Sequence, residues 1–498
     1  MHKKLSILIL VAVFLMAGVA AQTPGGDSKQ LPAKVTRLNK APISIETLRV
    51  KLPHPVEVRM PNGLTLLVLE QHRLPTLTCA LWVKAGALSD PKEMPGLASF
   101  TADLLREGTV KRNSTQIAAD LDELGATFAA NAPFGDDVTY IQSSGLSSTA
   151  DKLMDLMSDM VLNPGFPEEE IEKYRRREAA GLTQQRSSPG FLAQERFARA
   201  VYGDFPASIQ TTTSDALKKA SPAALKEFHD RVYAPNNAIL AIGGDVTVAQ
   251  ATELVKKYFG QWKGHPATAK VATALPAPAP ARIFLVDRPG SVQSNILAGA
   301  LTLRRNDPDY IPLVVANRIL GGGGAARLFM NLREEKGYTY GAYSRLNVHA
   351  FPGTLAANTE VRNAVTDGSL HELMYELKRL RDERVPQGEM EEASRSIVSS
   401  FALSLESPAN LLNSWLTVKY YGLPNDYWDT YADRIAAVNA ETVQRVARKF
   451  VDLEHLQIVV VGDAKQVREA VEKYGKVELF DTDGKAVVSK PETAPSGK

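Results

Sequence analysis

One cysteine, Cys79, is all that the 498 residues contain. A single thiol makes no internal disulfide and builds no cysteine zinc site. It stands in Leu77-Thr78-Cys79-Ala80-Leu81-Trp82-Val83, which reads as a buried strand carrying a core thiol. An excess of either charge is also missing, with 58 basic against 56 acidic residues and a formal net charge of +2. Lys3 and Lys4 account for that difference, so the chain beyond them is neutral. Without a basic block there is no electrostatic case for nucleic acid or for an acidic membrane surface. Long apolar runs are absent after residues 5–19, so no later segment is expected to span a bilayer. The eight histidines are His2, His54, His72, His229, His265, His349, His371 and His455. No two are three or four residues apart, which excludes a pair of imidazoles one helical turn from each other. His371-Glu372 begins like His-Glu-x-x-His, but Tyr375 stands where the second histidine is needed.

What is present is organised. His2, Lys3 and Lys4 precede the apolar run, and Val19-Ala20-Ala21 offers small residues before Gln22. Residues 1–21 therefore read as a secretory signal, with an uncleaved anchor as the alternative, and a periplasmic or secreted location is expected. Residues 22–50 are polar and aperiodic and read as a tether. Residues 264–281 include Pro276-Ala277-Pro278-Ala279-Pro280 and read as an extended linker. Residues 481–498 are polar, with Pro491 and Pro495, and are expected to be a disordered tail.

The segments 51–263 and 282–480 repeat one another. Leu81-Trp82-Val83 ends an early strand, and Leu297-Ala298-Gly299 sits similarly in the second segment. Asp90-Pro91 opens a helical stretch, as does Asp307-Pro308. An apolar strand ends in Gly244-Asp245, and another ends in Gly462-Asp463. The three offsets run from 216 to 218 residues, the mark of a duplicated unit. Pro61-Asn62-Gly63 between apolar runs signals an early hairpin. Amphipathic helices are expected over 150–162, 248–259, 370–384 and 465–474. Strands and helices come in runs rather than strict alternation. The fold class expected is α+β, with two homologous modules, each a mostly antiparallel sheet with helices packed on one face.

The second segment carries Gly321, Gly322, Gly323 and Gly324, followed by Ala325-Ala326-Arg327-Leu328-Phe329. Then come Leu332-Arg333, Gly337 and Tyr340. The run of glycines reads as a loop that leaves backbone bare beside a ligand. A phosphate cradle is a poor alternative, since no Lys-Ser/Thr follows at the required spacing. A helix is expected over 325–335, ended by Gly337 in the left-handed turn, with Tyr340 starting a strand.

These motifs, with Gly96-Leu97-Ala98 and Gly108-Thr109, make the chain resemble the insulinase/pitrilysin (M16) metallopeptidases over about residues 55–475. The resemblance also rests on Asn62-Gly63-Leu64, Val83-Lys84-Ala85-Gly86, Leu124-Gly125-Ala126 and Tyr233-Ala234-Pro235-Asn236-Asn237. In that family a helix after Gly-Leu-Ala bears His-x-x-Glu-His, two zinc ligands and a general base. Here Ser99, Ala102 and Asp103 occupy those three positions, so the zinc motif is degenerate. The family's third ligand falls near Ala180, with Glu178 two residues out of register. Pro133 and Phe134 also depart from the family's substrate-pairing strand. No metal is therefore expected in this chain. Arg333 and Tyr340 keep the family's Arg-x6-Tyr spacing, and the resemblance gives them a role in trans at a zinc site held elsewhere. The expectation is a non-zinc subunit that pairs with a homologous zinc-bearing chain. Together they would hydrolyse unfolded or short peptides, with Gly321 to Gly324 on the substrate side. An inert structural or peptide-binding protein is the alternative. A free-standing peptidase with an unrecognised site is disfavoured by the histidine spacing.

Overall fold

The computed structural model describes residues 48, 50–264, 275 and 277–487. The expected signal sequence, nearly all of the tether, most of the linker and residues 488–498 lie outside the described residues.

The first half builds one six-stranded sheet from β1 (Val56–Arg59), β2 (Thr65–Glu70), β3 (Thr76–Val83), β4 (Thr127–Asn131), β5 (Thr139–Leu146) and β6 (Ala238–Gly244). The strand order is β1-β2-β6-β3-β5-β4. The second half repeats it with β7 (Arg282–Asp287), β8 (Gln293–Leu301), β9 (Thr339–Asn347), β10 (Thr354–Arg362), β11 (Gln457–Gly462) and β12 (Val477–Phe480). Its order is β12-β7-β11-β8-β10-β9. Most pairings are antiparallel, and β2 with β6, β7 with β11 and β7 with β12 run parallel. The expected α+β modules are thus present. The early hairpin turns at Gly63, whose φ of +93° suits only glycine. Asn62 anchors that turn by donating to the carbonyls of Phe259 and Trp262.

Side chains alternate across each sheet, and both faces are apolar. In β3, Leu77, Cys79, Leu81 and Val83 join the core formed with the first half's own helices. Among those helices are Leu97–Asp103, Ala150–Leu162 and Val248–Phe259. Ala80 and Trp82 point the other way, into a core with Leu412 and Trp415. Those two residues lie on the helix Pro408–Tyr421, which belongs to the second half. Gly243 admits this helix closely, since a Cβ there would come 2.9 Å from the Leu412 side chain. The arrangement is reciprocal. In β11, Ile458 and Val460 pack under the second half's own helices. Val459 and Val461 pack with Phe197, Ala198 and Val201 of the helix Pro189–Tyr202, from the first half. Each half therefore lends one helix to the other's sheet, and the described residues of the two halves form one compact unit.

The two halves are closely repeated down to these loans. Ser188 and Ser407 cap the two exchanged helices, and a proline follows each cap at the first turn.

The ends of the second module differ from expectation. Residues 481–487, expected in a disordered tail, form an ordered turn. The Asp481 amide donates to the Lys485 carbonyl at 2.9 Å, and the Asp481 carboxylate accepts from the Asp483 and Lys485 amides. Val487 then donates to Leu479, which lengthens the β12 edge. The end of the linker is also tied down, because Gln457 donates to the carbonyls of Ala279 and Pro280. Among the described residues no helix is long and apolar enough to cross a membrane.

Candidate functional site

The helix Leu97–Asp103 is held at its N-terminus by Asp90, whose carboxylate accepts from the Gly96 and Ala98 amides at 2.7 Å each. Gly96, at φ +98°, gives the sharp entry. This is the helix on which a zinc motif would stand, and its side chains do not fit a metal. Ala102 is buried and apolar. Ser99 offers one neutral hydroxyl. Asp103 is engaged, because Tyr174 on the helix Glu168–Ser187 donates its hydroxyl to Asp103 Oδ2 at 2.8 Å. Burial pushes the Asp103 carboxyl above its ordinary range, the Tyr174 bond opposes this, and the nearby Glu178 charge adds to it. Burial also pushes the Tyr174 hydroxyl well up. Glu178 thus reaches the neighbourhood of Asp103, and among the described residues Asp103 belongs to no cluster of metal-ligating side chains. Two carboxylates and a phenol make a poor zinc set.

Arg333 and Tyr340 stand in the second half, each on a local irregularity of the backbone. Helical backbone begins at Arg327 and widens into a π-turn over Met330–Glu335, ending at Gly337 with φ +63°. The Lys336 amide reaches back to the Asn331 carbonyl, and the Tyr338 amide to Leu332. Asn331 explains the widening from inside. It is buried and donates to Glu372 at 3.0 Å and Glu376 at 2.9 Å on the helix Thr366–Asp382. Leu332 is fully buried beside it, which leaves Arg333 facing out. The Arg333 side chain is 45% exposed, with the Glu334 carboxylate at 3.5 Å. Its guanidinium lies 4.7 Å over the Phe329 ring.

Tyr340 stands at the start of the edge strand β9, in a break of register. Ala342 pairs with Thr359 and Thr339 with Val361, so Tyr340 and Gly341 bulge out opposite Glu360. Thr339 and Thr359 hydroxyls both donate to the Gly341 carbonyl and hold the bulge. Tyr340 is left 91% exposed, and among the described residues its hydroxyl has no hydrogen-bond partner. Phe329 and Tyr343, ring centroids 5.8 Å apart, link the π-turn to the strand. The π-turn that carries Arg333 and the strand that carries Tyr340 are in contact through Phe329 and Tyr343, and no hydrogen bond or ion pair among the described residues joins Arg333 or Tyr340 to Ser99, Ala102 or Asp103.

The four glycines divide in two. Gly321 closes the helix Tyr310–Gly321 against β9, and a Cβ there would sit 2.3 Å from the Ser344 amide nitrogen. A Cβ on Gly322 would meet Arg318 at 2.7 Å. These two are glycines for packing. Gly323 and Gly324 have room, and Gly324 is exposed. None of the four has positive φ, so the run is not an anion-binding nest. Sequence reasoning missed Tyr174, Asn331 and the buried Arg327, which donates to Glu389 at 2.7 Å. Only Arg327 stood in a motif that could have flagged it.

Comparison with known proteins agrees with this architecture. Residues 66–213 match the family model described as insulinase (peptidase family M16), and residues 219–397 match the peptidase M16 inactive domain. The chain is 23% identical over 394 residues to the uncharacterized zinc protease YmxG of Bacillus subtilis, covering 78% of this chain and 93% of that protein. A peptidase M16 inactive domain from Pseudomonas fluorescens superposes with a TM-score of 0.77 at 26% identity, over 82% of this chain and 98% of that one. A protease from Helicobacter pylori has a TM-score of 0.76 at 19% identity, over 83% and 100%; at that identity it speaks for the fold alone. Fold and site together define a duplicated, peptidase-like chain whose metal helix is without a metal-binding set. The chain belongs to the M16 peptidase family.

Proposed function

We propose that this chain is the non-zinc subunit of a two-chain M16 peptidase, exported to the periplasm or beyond. A homologous zinc-bearing partner would hold the metal. This chain would present Arg333 and Tyr340 to the carbonyl oxygen of an unfolded or short peptide. Negative charge grows on that oxygen during hydrolysis. A permanently charged guanidinium and a phenol hydroxyl are suited to steady it. The open end of the glycine run, Gly323 and Gly324, would flank the peptide.

The observation that carries the reading is the 91% exposure of Tyr340 on a bulged edge strand. A large aromatic held outward by a local break in register, in the same half as a half-exposed arginine, has no hydrogen-bond partner among the described residues. The degenerate helix of Ser99, Ala102 and Asp103 supports the other half of the proposal. One observation favours the alternative, an inert structural or peptide-binding protein: Arg333 already lies over Phe329 with Glu334 nearby.

The test is reconstitution. A zinc-bearing M16 chain from the same cell is mixed with this one, and hydrolysis of an unstructured peptide is followed. The expected result is activity that neither chain has alone, reduced about 100-fold by Arg333→Ala or Tyr340→Phe. Activity indifferent to both substitutions would leave the scaffold reading.

A further inference from the structure

The loops that follow β4 and β9 are counterparts in the duplication, and they meet at the junction of the halves. The first carries Asp136 and Asp137, and the second carries His349. One ligand atom from each lies within 4.8 Å of the others, the single such acidic and histidine group among the described residues. Asp137 is 94% buried, at 6% exposure; the Tyr420 hydroxyl faces its carboxylate, and its Oδ1 is enclosed with no hydrogen-bond partner among the described residues. His349 Nδ1 stands 4.0 Å from Asp136 Oδ1.

We propose that Asp136, Asp137 and His349 form a binding site for one divalent transition-metal ion, of the Zn2+ or Mn2+ kind, that ties the two halves together. This site is separate from the degenerate helix and does not depend on the peptidase reading.

The surroundings are built rather than incidental. Tyr140 donates to Asp136 Oδ2 at 2.9 Å, and the Asp137 amide donates to Asp136 Oδ1 at 2.7 Å. These bonds orient the Asp136 carboxylate and leave it lone pairs. The His349 ring stacks on Phe351 with centroids 4.8 Å apart and planes 3° from parallel. The His349 carbonyl accepts from the Arg305 amide at 2.9 Å, which fixes that loop. Gly86 packs so tightly on the first loop that a Cβ would meet the Val138 nitrogen at 2.6 Å. Such outer contacts are what hold metal ligands in place.

Charge points the same way. Among the described residues no lysine or arginine pairs with either carboxylate. Two carboxyl groups and an imidazole, with no cationic side chain paired to the carboxyls, lack the positive charge that a cation would supply. The imidazole selects a transition ion over Ca2+ or Mg2+, which take oxygen ligands. Ligand atoms around a tetrahedral Zn2+ stand about 3.4 Å apart. The 4.0 Å between His349 and Asp136 would close by roughly half an ångström, within reach of a small χ rotation.

The experiment uses the full chain, stripped with a chelator and then dialysed against micromolar Zn2+ or, separately, Mn2+. Metal content is measured after gel filtration. One ion per chain is expected, with a raised thermal midpoint. Asp137→Asn, nearly isosteric, and His349→Ala should each weaken binding at least ~10-fold. Circular dichroism confirms that these variants are folded. Asp103→Asn should keep full occupancy. The proposal is overturned if the chain retains neither ion, if folded Asp137→Asn binds as well as the parent, or if Asp103→Asn loses the ion.

Discussion

Tyr174 donates its hydroxyl to the Asp103 carboxylate at 2.8 Å, on the helix where the family places its second zinc-binding imidazole. An aspartate whose folded pKa is raised binds protons more tightly in the folded than in the unfolded chain. Its ionisation therefore lowers stability as pH climbs from the ordinary carboxylate range upward. Asp103→Asn mimics the protonated form and still accepts from Tyr174. Denaturant melts should show the variant equal to the parent in acid and more stable than it near neutrality. A gap of the opposite sign would mean that Asp103 is stabilised as an anion.

The exposed pair should be dispensable for folding. Arg333→Ala and Tyr340→Phe remove groups that no hydrogen bond among the described residues holds. Each should change unfolding free energy by no more than about 0.5 kcal/mol. Loss of activity in the mixed assembly would then be assignable to chemistry or binding.

Within the glycine run, stability should separate positions that sequence treats alike. Gly321→Ala pushes a Cβ into the β9 backbone at Ser344 and Tyr343 and should cost about 3 kcal/mol. Gly324→Ala meets nothing closer than a Phe329 ring atom at 3.9 Å and should be nearly neutral, both variants being compared with the parent by denaturant melts.

Leu412→Ala tests the exchanged helices. Leu412 is 1% exposed and belongs to the core beneath the first half's sheet. Truncation should cost about 2–5 kcal/mol. The loss should appear in a single transition reported equally by probes in both halves. Two separated transitions would contradict the shared core.

Much of this was legible in the chain itself. The near-constant offset of Asp90-Pro91 and Gly244-Asp245 from their partners announced the duplication, and Val248–Phe259 is a helix with the expected ends. The helix loan was not legible, because the periodicity of Pro189–Tyr202 says that one face is apolar and not which sheet it covers. A hint did exist: β6 and β11 are buried at every residue, which requires cover on both faces. The outward turn of Tyr340 depends on a one-residue bulge, and Tyr340 alone would read as a strand residue with either face available. Asp136, Asp137 and His349 come from loops far apart in sequence, and no local spacing signals their meeting. The degenerate positions Ser99, Ala102 and Asp103 were readable because they interrupt a fixed spacing, whereas Tyr174 became visible only through the fold.

The reciprocal helices carry a lesson about descent. A lone ancestral half would bare one apolar sheet face to water, unless a second molecule filled it with the matching segment and received the same in return. Such a swapped homodimer, once its gene was doubled in tandem, would give the present chain without any new packing. Cutting the chain at the linker should therefore yield fragments that need one another, each soluble only as half of a reassembled pair.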